Sequence, residues 1–394
     1  MKTALAIVVS MLVFSCASTQ APVLPSSGGP TGELVAYVKA PPPPHKGKER
    51  TRADYKAAVQ HAYSTAKAVK DGKNADYIPE LAKVDSNLFG IVLMKVDGEM
   101  FEVGDTATNF TIQSISKIFT LSRALKDSPG MVEKTIGTDA TGQSFNSILA
   151  LGLNKANKRP IPGNPLVNAG AIATTGLVAG ADPNEKWSNI IGTMNAFAGR
   201  SLSVDSSVYK SETDTNAGNQ GISWILKNWE VLAADPPQTL DLYTRQCSVA
   251  ITARDLAAMG ATLANGGVNP ITNSKVIDPE VAAEVLAVMS TAGLYETTGT
   301  WLFKVGAPAK SGVGGGIIAV VPGQFAVAAF APPLDEAGNS VKAQRAIESI
   351  ISELGANVFM AQPRVKSTQS AELEPDPLER RGGNDEQKAE AEIP

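Results

Sequence analysis

The chain has 394 residues, 43% of them hydrophobic and 19% charged. That composition belongs to a soluble globule with room for one substantial core, and it excludes global disorder and a small disulfide-stapled scaffold. A net charge of -4 offers no positive field for nucleic acid, and two cysteines with two histidines leave little material for a structural zinc site.

Met1-Lys2-Thr3, an apolar run from Ala4 to Phe14 and the small residues Ser15 to Ser18 have the three-part layout of a secretory signal over residues 1–16. The run is too short to span a membrane permanently. Val13-Phe14-Ser15-Cys16 resembles a bacterial lipobox in which Cys16 is lipidated and becomes the new N-terminus, with Phe14 a bulky departure. Plain secretion is one alternative and a buried or artefactual N-terminus another. Lipidation and secretion both export the protein, to a membrane tether or to the periplasm, and leave Cys247 without a disulfide partner. Residues 17–52 carry Ser26-Ser27-Gly28-Gly29-Pro30, Pro41 to Pro44 and then the basic Lys46, Lys48, Arg50 and Arg52, the composition of a solvated tether. At the other end, residues 372–394 hold eight acidic side chains against three basic ones, so 363–394 reads as a disordered acidic tail.

Between these ends, 53–362 reads as one folded domain. Tyr55, Val59, Ala62, Ala66 and Val69 fall at helical spacing over Ala53 to Lys70, with Gly72 as the expected C-cap. Gly90 to Val96, the turn Asp97-Gly98 and Met100 to Val103 predict an antiparallel hairpin. Helical periodicity follows over Ile115–Leu125, Asn168–Val178, Trp187–Ala198, Gly221–Trp229, Ala253–Leu263 and Val281–Met289, and Thr252 with Asp255 forms a capping-box variant. Trp301–Val305, Gly316–Val321 and Phe325–Phe330 predict strands, the last two joined at Pro322-Gly323. A sheet assembled from both chain ends with a mostly helical lobe inserted is an α+β layout, and a cleft between lobes is the expected site.

Ser114-Ile115-Ser116-Lys117 puts a hydroxyl and an amine on one helix face, where a lysine with a lowered pKa can take the serine proton during attack on a carbonyl. The spacing alone decides nothing, since Ser64 with Lys67 and Ser207 with Lys210 match it as well. The later Lys310-Ser311-Gly312 adds information: a serine-lysine pair followed by such a motif is the set of the serine β-lactamases and penicillin-binding proteins. The glycines from Gly312 to Gly316 allow close backbone approach, so the Val313 and Ser114 amides could form an oxyanion hole.

Tyr77-Ile78-Pro79, Gln113 to Lys117, Asn164-Pro165-Leu166-Val167-Asn168-Ala169-Gly170-Ala171-Ile172, Ser211-Glu212 with Asn219, Tyr243 to Ser248, Gly293-Leu294-Tyr295 and Lys310 to Val313 occur in the order of the serine-dependent glutaminases, and from about Asp76 to Val341 the chain resembles that family. The resemblance implies a β-lactamase/transpeptidase-like fold, hydrolysis of L-glutamine to L-glutamate and ammonia without metal or organic cofactor, and a homodimer or homotetramer. It also implies roles: Ser114 as nucleophile, Lys117 as its base, and the Ser114 and Val313 amides as oxyanion hole. Tyr243 and Tyr295 would flank the carboxamide as proton relays, Glu212 would hold the substrate ammonium, Asn168 and Asn219 its α-carboxylate, and Tyr77 would cover the site. Ser144-Phe145-Asn146 reads as the family's Phe-Asn-Ser segment and Cys247 as a small buried hydrophobe. Departures are Gly218, where the family commonly has arginine, Asp139-Ala140-Thr141-Gly142 in place of Glu-Pro-Ser-Gly, and the export signal. Two other readings share the sequence: a β-lactamase or D-Ala-D-Ala peptidase, and a silent envelope lipoprotein that binds amino acids.

Overall fold

The computed structural model describes residues 50–148, 151, 155, 156 and 159–360, so the signal, Cys16, the acidic tail and all but the end of the tether lie outside the described residues. Five strands, β1 (Gly90–Lys95), β2 (Met100–Gly104), β3 (Ala309–Ser311), β4 (Gly316–Val321) and β5 (Phe325–Phe330), form an antiparallel sheet in the order β2-β1-β5-β4-β3. Its central pairing runs from Gly90 opposite Phe330 to Lys95 opposite Phe325 and joins the two ends of the domain, as the layout predicts.

The central strands read as unbroken apolar runs because both faces of the sheet are covered. Alternation still sorts the side chains. Ile91, Leu93, Ile317, Ala319, Val327 and Ala329 share a core with the helices α1 (Arg52–Lys67) and α11 (Val341–Glu353). Val92, Met94, Ile318, Val320, Ala326 and Ala328 pack into a second core with α2 (Ser116–Asp127), α4 (Pro183–Ala198), α8 (Ala253–Ala264) and α9 (Pro279–Ala292). The helical lobe is completed by α3 (Asn168–Leu177), α5 (Ser206–Thr215), α6 (Ala217–Asn228) and α7 (Pro236–Cys247), with a third apolar cluster between α3, α6 and α7. Among the described residues no helix is long and apolar enough to cross a membrane.

Three details differ from the sequence reading. Trp301–Val305, predicted as a strand, lies in helix α10 (Thr298–Val305): Trp301 and Val305, four apart, are buried while Phe303 is 89% exposed, and an alternating strand would bury all three. Gly72 is not a C-cap, because α1 ends at Lys67 with Ala68 in that position. Arg50, placed in the tether by its neighbours' composition, donates from Nε to the Leu354 carbonyl at 2.6 Å, and Thr51 is the N-cap of α1.

Candidate active site

Ser114 lies on a bend. The strand Phe110–Thr111 pairs with Val249–Ile251, the chain turns through Gln113 at φ 50, and a single 3-10 turn, Gln113–Ile115, leads into α2. A non-glycine residue in that left-handed region costs about 1–3 kcal/mol and persists only where its surroundings fix it. Here Gln113 Nε2 donates to Thr111 Oγ1 at 3.1 Å and the Gln113 carbonyl accepts from Ser116 Oγ at 2.7 Å. The strained turn directs Ser114 into a cleft.

Lys117, one turn on, is buried, and its Nζ donates to the Leu166 carbonyl at 3.0 Å and to Asn168 Oδ1 at 2.7 Å. Burial pulls its ammonium down to about 8, with Cys247 and Glu212 opposing. A neutral amine has two hydrogens and one lone pair, so those two acceptors leave the lone pair free for an incoming proton. The Asn164 loop builds this arrangement. Asn164 Oδ1 accepts from the Leu166 and Val167 amides, its Nδ2 donates to the Asp139 carbonyl, and α3 then opens at Asn168. Gly170 packs against that turn so closely that a Cβ would stand 1.8 Å from the Asn164 oxygen. Gly170→Ala must therefore move the loop holding Lys117; we expect a loss of about 3 kcal/mol of stability in denaturant titration, with activity falling further than the folded fraction.

Asn168 is a hub. Its Oδ1 also accepts from the Tyr243 hydroxyl at 3.2 Å, and its Nδ2 donates to Asn219 Oδ1 at 3.0 Å, which leaves the Asn219 amide hydrogens for another acceptor. Glu212, on α5, faces the same cleft and accepts from Ser248 Oγ at 3.4 Å. Burial pushes its carboxyl up to about 7, against hydrogen bonds from Gln113 and Ser248 and the charge of Lys117. Burial likewise holds the Tyr243 phenol well above its ordinary value and pushes the Cys247 thiol up to about 12. Tyr77, 53% exposed, lines the same cleft.

The opposite wall comes from β3 and the glycine loop. The Ser114 and Val313 amides donate to no acceptor among the described residues, as an oxyanion site requires. Tyr295, at φ 55, is buried; its hydroxyl donates to the Ser311 carbonyl at 3.4 Å and also bonds with Ser114. Burial pushes that phenol up to about 12, while the Ser114 and Ser311 hydroxyls beside it pull it down. Lys310 is fully buried, and burial, helped by the charge of Lys117, pulls its ammonium well below the usual lysine range.

Comparisons with known proteins point to one family. Residues 72–359 match the Glutaminase family model. The glutaminase of Colwellia psychrerythraea is 50% identical over 302 residues, which are 76% of this chain and 96% of that protein. The glutaminase of Mycobacterium ulcerans is 48% identical over 310 residues, 78% of this chain and 96% of its own. Among solved structures, the probable glutaminase YbaS superposes with a TM-score of 0.77 at 43% identity, over 79% of this chain and 100% of that one. The chain belongs to the glutaminase family. It has the β-lactamase-like fold of these glutaminases and is an amidohydrolase that hydrolyses glutamine; the β-lactamase, peptidase and silent-lipoprotein readings are not favoured.

Of the residues expected from resemblance to the glutaminases, Tyr77, Ser114, Asn168, Glu212, Asn219, Tyr243 and Val313 line the same cleft. Lys117 and Tyr295 stand behind its wall, the first through Asn168 and the second through Ser114. The other two serine-lysine pairs are surface features: Ser64 bonds its own helix at His61, and Lys210 pairs with Asp214. Gln113, Phe145, Thr215 and Asn216 also line the cleft and carry no role in the sequence reading. Gln113 had a signal, its place directly before Ser114, but its left-handed backbone and its bond to Glu212 are tertiary facts. Gly218, the departure from arginine, borders open space. No group of three or more metal-binding side chains gathers among the described residues.

Proposed function

We propose that glutamine is hydrolysed through a glutamyl ester on Ser114. Glu212 pairs with the substrate ammonium and the Asn219 amide, braced by Asn168, donates to the α-carboxylate, which sets the carboxamide beside Ser114. Ser114 Oγ attacks the carboxamide carbon and its proton passes to the neutral Lys117 amine, while the Ser114 and Val313 amides take the developing negative charge. The C–N bond breaks and ammonia departs with the proton Ser114 released, passed on from Lys117 with the Tyr243 and Tyr295 hydroxyls as relay. Water then cleaves the ester to glutamate and restores the serine.

The observation that carries this reading is the placement of Ser114, Glu212 and Asn219 on one cleft with Lys117 buried directly behind it. The Mglu protein, 35% identical over 80% of this chain with a TM-score of 0.73, is known in a glutamate form, which supports glutamate as the product held here. Rapid mixing with glutamine tests the ester: a burst of ammonia and a glutamyl adduct on the peptide containing Ser114 are expected, and steady ammonia release without any adduct would count against it.

Lys117 and Glu212 set the pH dependence. Lys117, at about 8, accepts a proton only when neutral, and Glu212, at about 7, binds an ammonium only when ionised. Both requirements favour high pH. Initial-rate measurements should show kcat/KM rising from pH 6 to a plateau above about 8, steepest below about 7 where both groups need to lose a proton. A flat profile from pH 6 to 9 would remove the neutral-lysine base.

We further propose, from Met1 to Ser18 alone, that the enzyme is exported and tethered through lipid on Cys16, and, from the family resemblance, that it assembles as a homo-oligomer. Cys16→Ser should abolish palmitate labelling, and light scattering should return a dimer or tetramer.

A further inference from the structure

Lys310 is among the largest fully buried side chains of the protein, and among the described residues no carboxylate pairs with it. Its Nζ donates to the Ser311 carbonyl at 2.6 Å and stands 4.4 Å from the centroid of the Tyr295 ring. The Tyr295 hydroxyl donates to that same Ser311 carbonyl, so the amine and the phenol share one acceptor while the amine also faces the ring. A buried amine without a counter-charge weakens the fold, and groups that do so and persist are concentrated at functional sites.

Tyr295 needs such support. Its left-handed backbone is not a relaxed conformation for an aromatic residue, and Gly293, two residues earlier, is wedged so tightly that a Cβ would stand 1.7 Å from the Ala309 carbonyl. The Phe145 ring touches Tyr295 at 4.6 Å, but tilted by 41° it supplies only apolar contact. Lys310 is the polar group that fixes both the ring and the acceptor of its hydroxyl.

We propose that Lys310 is a positioning residue for Tyr295: by holding the ring and the Ser311 carbonyl together, its buried amine places the Tyr295 hydroxyl beside Ser114. This rests on Tyr295 being a working part of the proposed reaction. A lysine that merely filled space would be replaced at no cost by methionine, which has similar volume and no polar head. A lysine kept for Tyr295 behaves oppositely, with the fold gaining and the reaction losing.

The test is a double-mutant cycle on the full-length enzyme with Lys310→Met, Tyr295→Phe and the pair, reading kcat, KM and Tm. Lys310→Met should lower kcat at least tenfold with KM within twofold and Tm unchanged or raised, and adding it to Tyr295→Phe should cost less than a further twofold. Lys310→Gln, which keeps an N–H donor, should lose less than Lys310→Met. The proposal is overturned by a Lys310→Met kcat within twofold of wild type while Tyr295→Phe is impaired, or by an undiminished tenfold loss in the Tyr295→Phe background. Equal losses in the Met and Gln variants with a lowered Tm would also overturn it, since packing would then explain them. Full activity in Tyr295→Phe itself would instead remove the role of Tyr295 on which the proposal stands.

Discussion

Ser114→Ala is expected to lower kcat by roughly 10⁴- to 10⁶-fold, the scale on which a covalent serine enzyme loses its nucleophile. The change should be confined to chemistry. Ser114 exposes little surface, and the bonds that hold its turn belong to Gln113, Thr111 and Ser116, so stability should move by no more than about 0.5 kcal/mol. Glutamine affinity measured by calorimetry should stay within a few-fold of wild type, because Glu212 and Asn219 remain in place. Lys117→Ala should cost nearly as much in kcat, and the double variant little more, since in the proposed reaction the two side chains act on one proton. Lys117→Ala should also lower stability, as the Leu166 carbonyl and Asn168 Oδ1 lose their buried donor. Additive losses from the two sites would contradict a shared proton transfer.

The sheet is legible in the sequence wherever a turn signal separates two apolar runs, as at Asp97-Gly98 and Pro322-Gly323, because local chemistry there sets register. Trp301–Val305 shows the limit: a five-residue stretch of four apolar residues and Lys304 has no measurable period, and only the exposure of Phe303 tells helix from strand. Helices α5, α7 and α11 are missing from the sequence reading, although α7 opens with Asp235 capping ahead of Pro236, a start signal in plain view. The site divides in the same manner. Ser114 and Lys117 stand three residues apart at one helix start, so spacing puts them on one face, while the later Lys310-Ser311-Gly312 and the family resemblance single them out from the two other pairs. The bond between Gln113 and Glu212 and the shared acceptor of Lys310 and Tyr295 join residues from distant segments, and the left-handed backbones of Gln113 and Tyr295 are imposed by packing that no local pattern encodes.

Glu212→Gln is the second large expected effect, and it falls on recognition. The amide keeps an oxygen for the Gln113 donor and a partner for Ser248, so the pocket retains its shape while its charge is lost. A substrate ammonium left unpaired in a buried site costs about 2–5 kcal/mol, which predicts a fall in kcat/KM of roughly 30- to 4000-fold, mostly through KM. Charge should also decide which substrates are refused. N-acetylglutamine, which has no ammonium, leaves the wild-type carboxylate buried and unpaired, whereas the neutral amide of the Glu212→Gln variant presents no charge to strand; the preference for free glutamine should therefore collapse. Stability gives an independent check with a defined sign. Burial raises the Glu212 carboxyl to about 7 from its ordinary value of 4.5, so the folded state resists an ionisation that the unfolded chain undergoes readily. The resulting penalty is absent below the ordinary value, grows as the pH rises from there to about 7, and is constant above. Glu212→Gln should accordingly raise Tm at about pH 8, with the gain fading as the pH falls toward the ordinary carboxylate range. A variant that keeps both its preference for free glutamine and its wild-type Tm under those alkaline conditions would mean that the ammonium is held elsewhere.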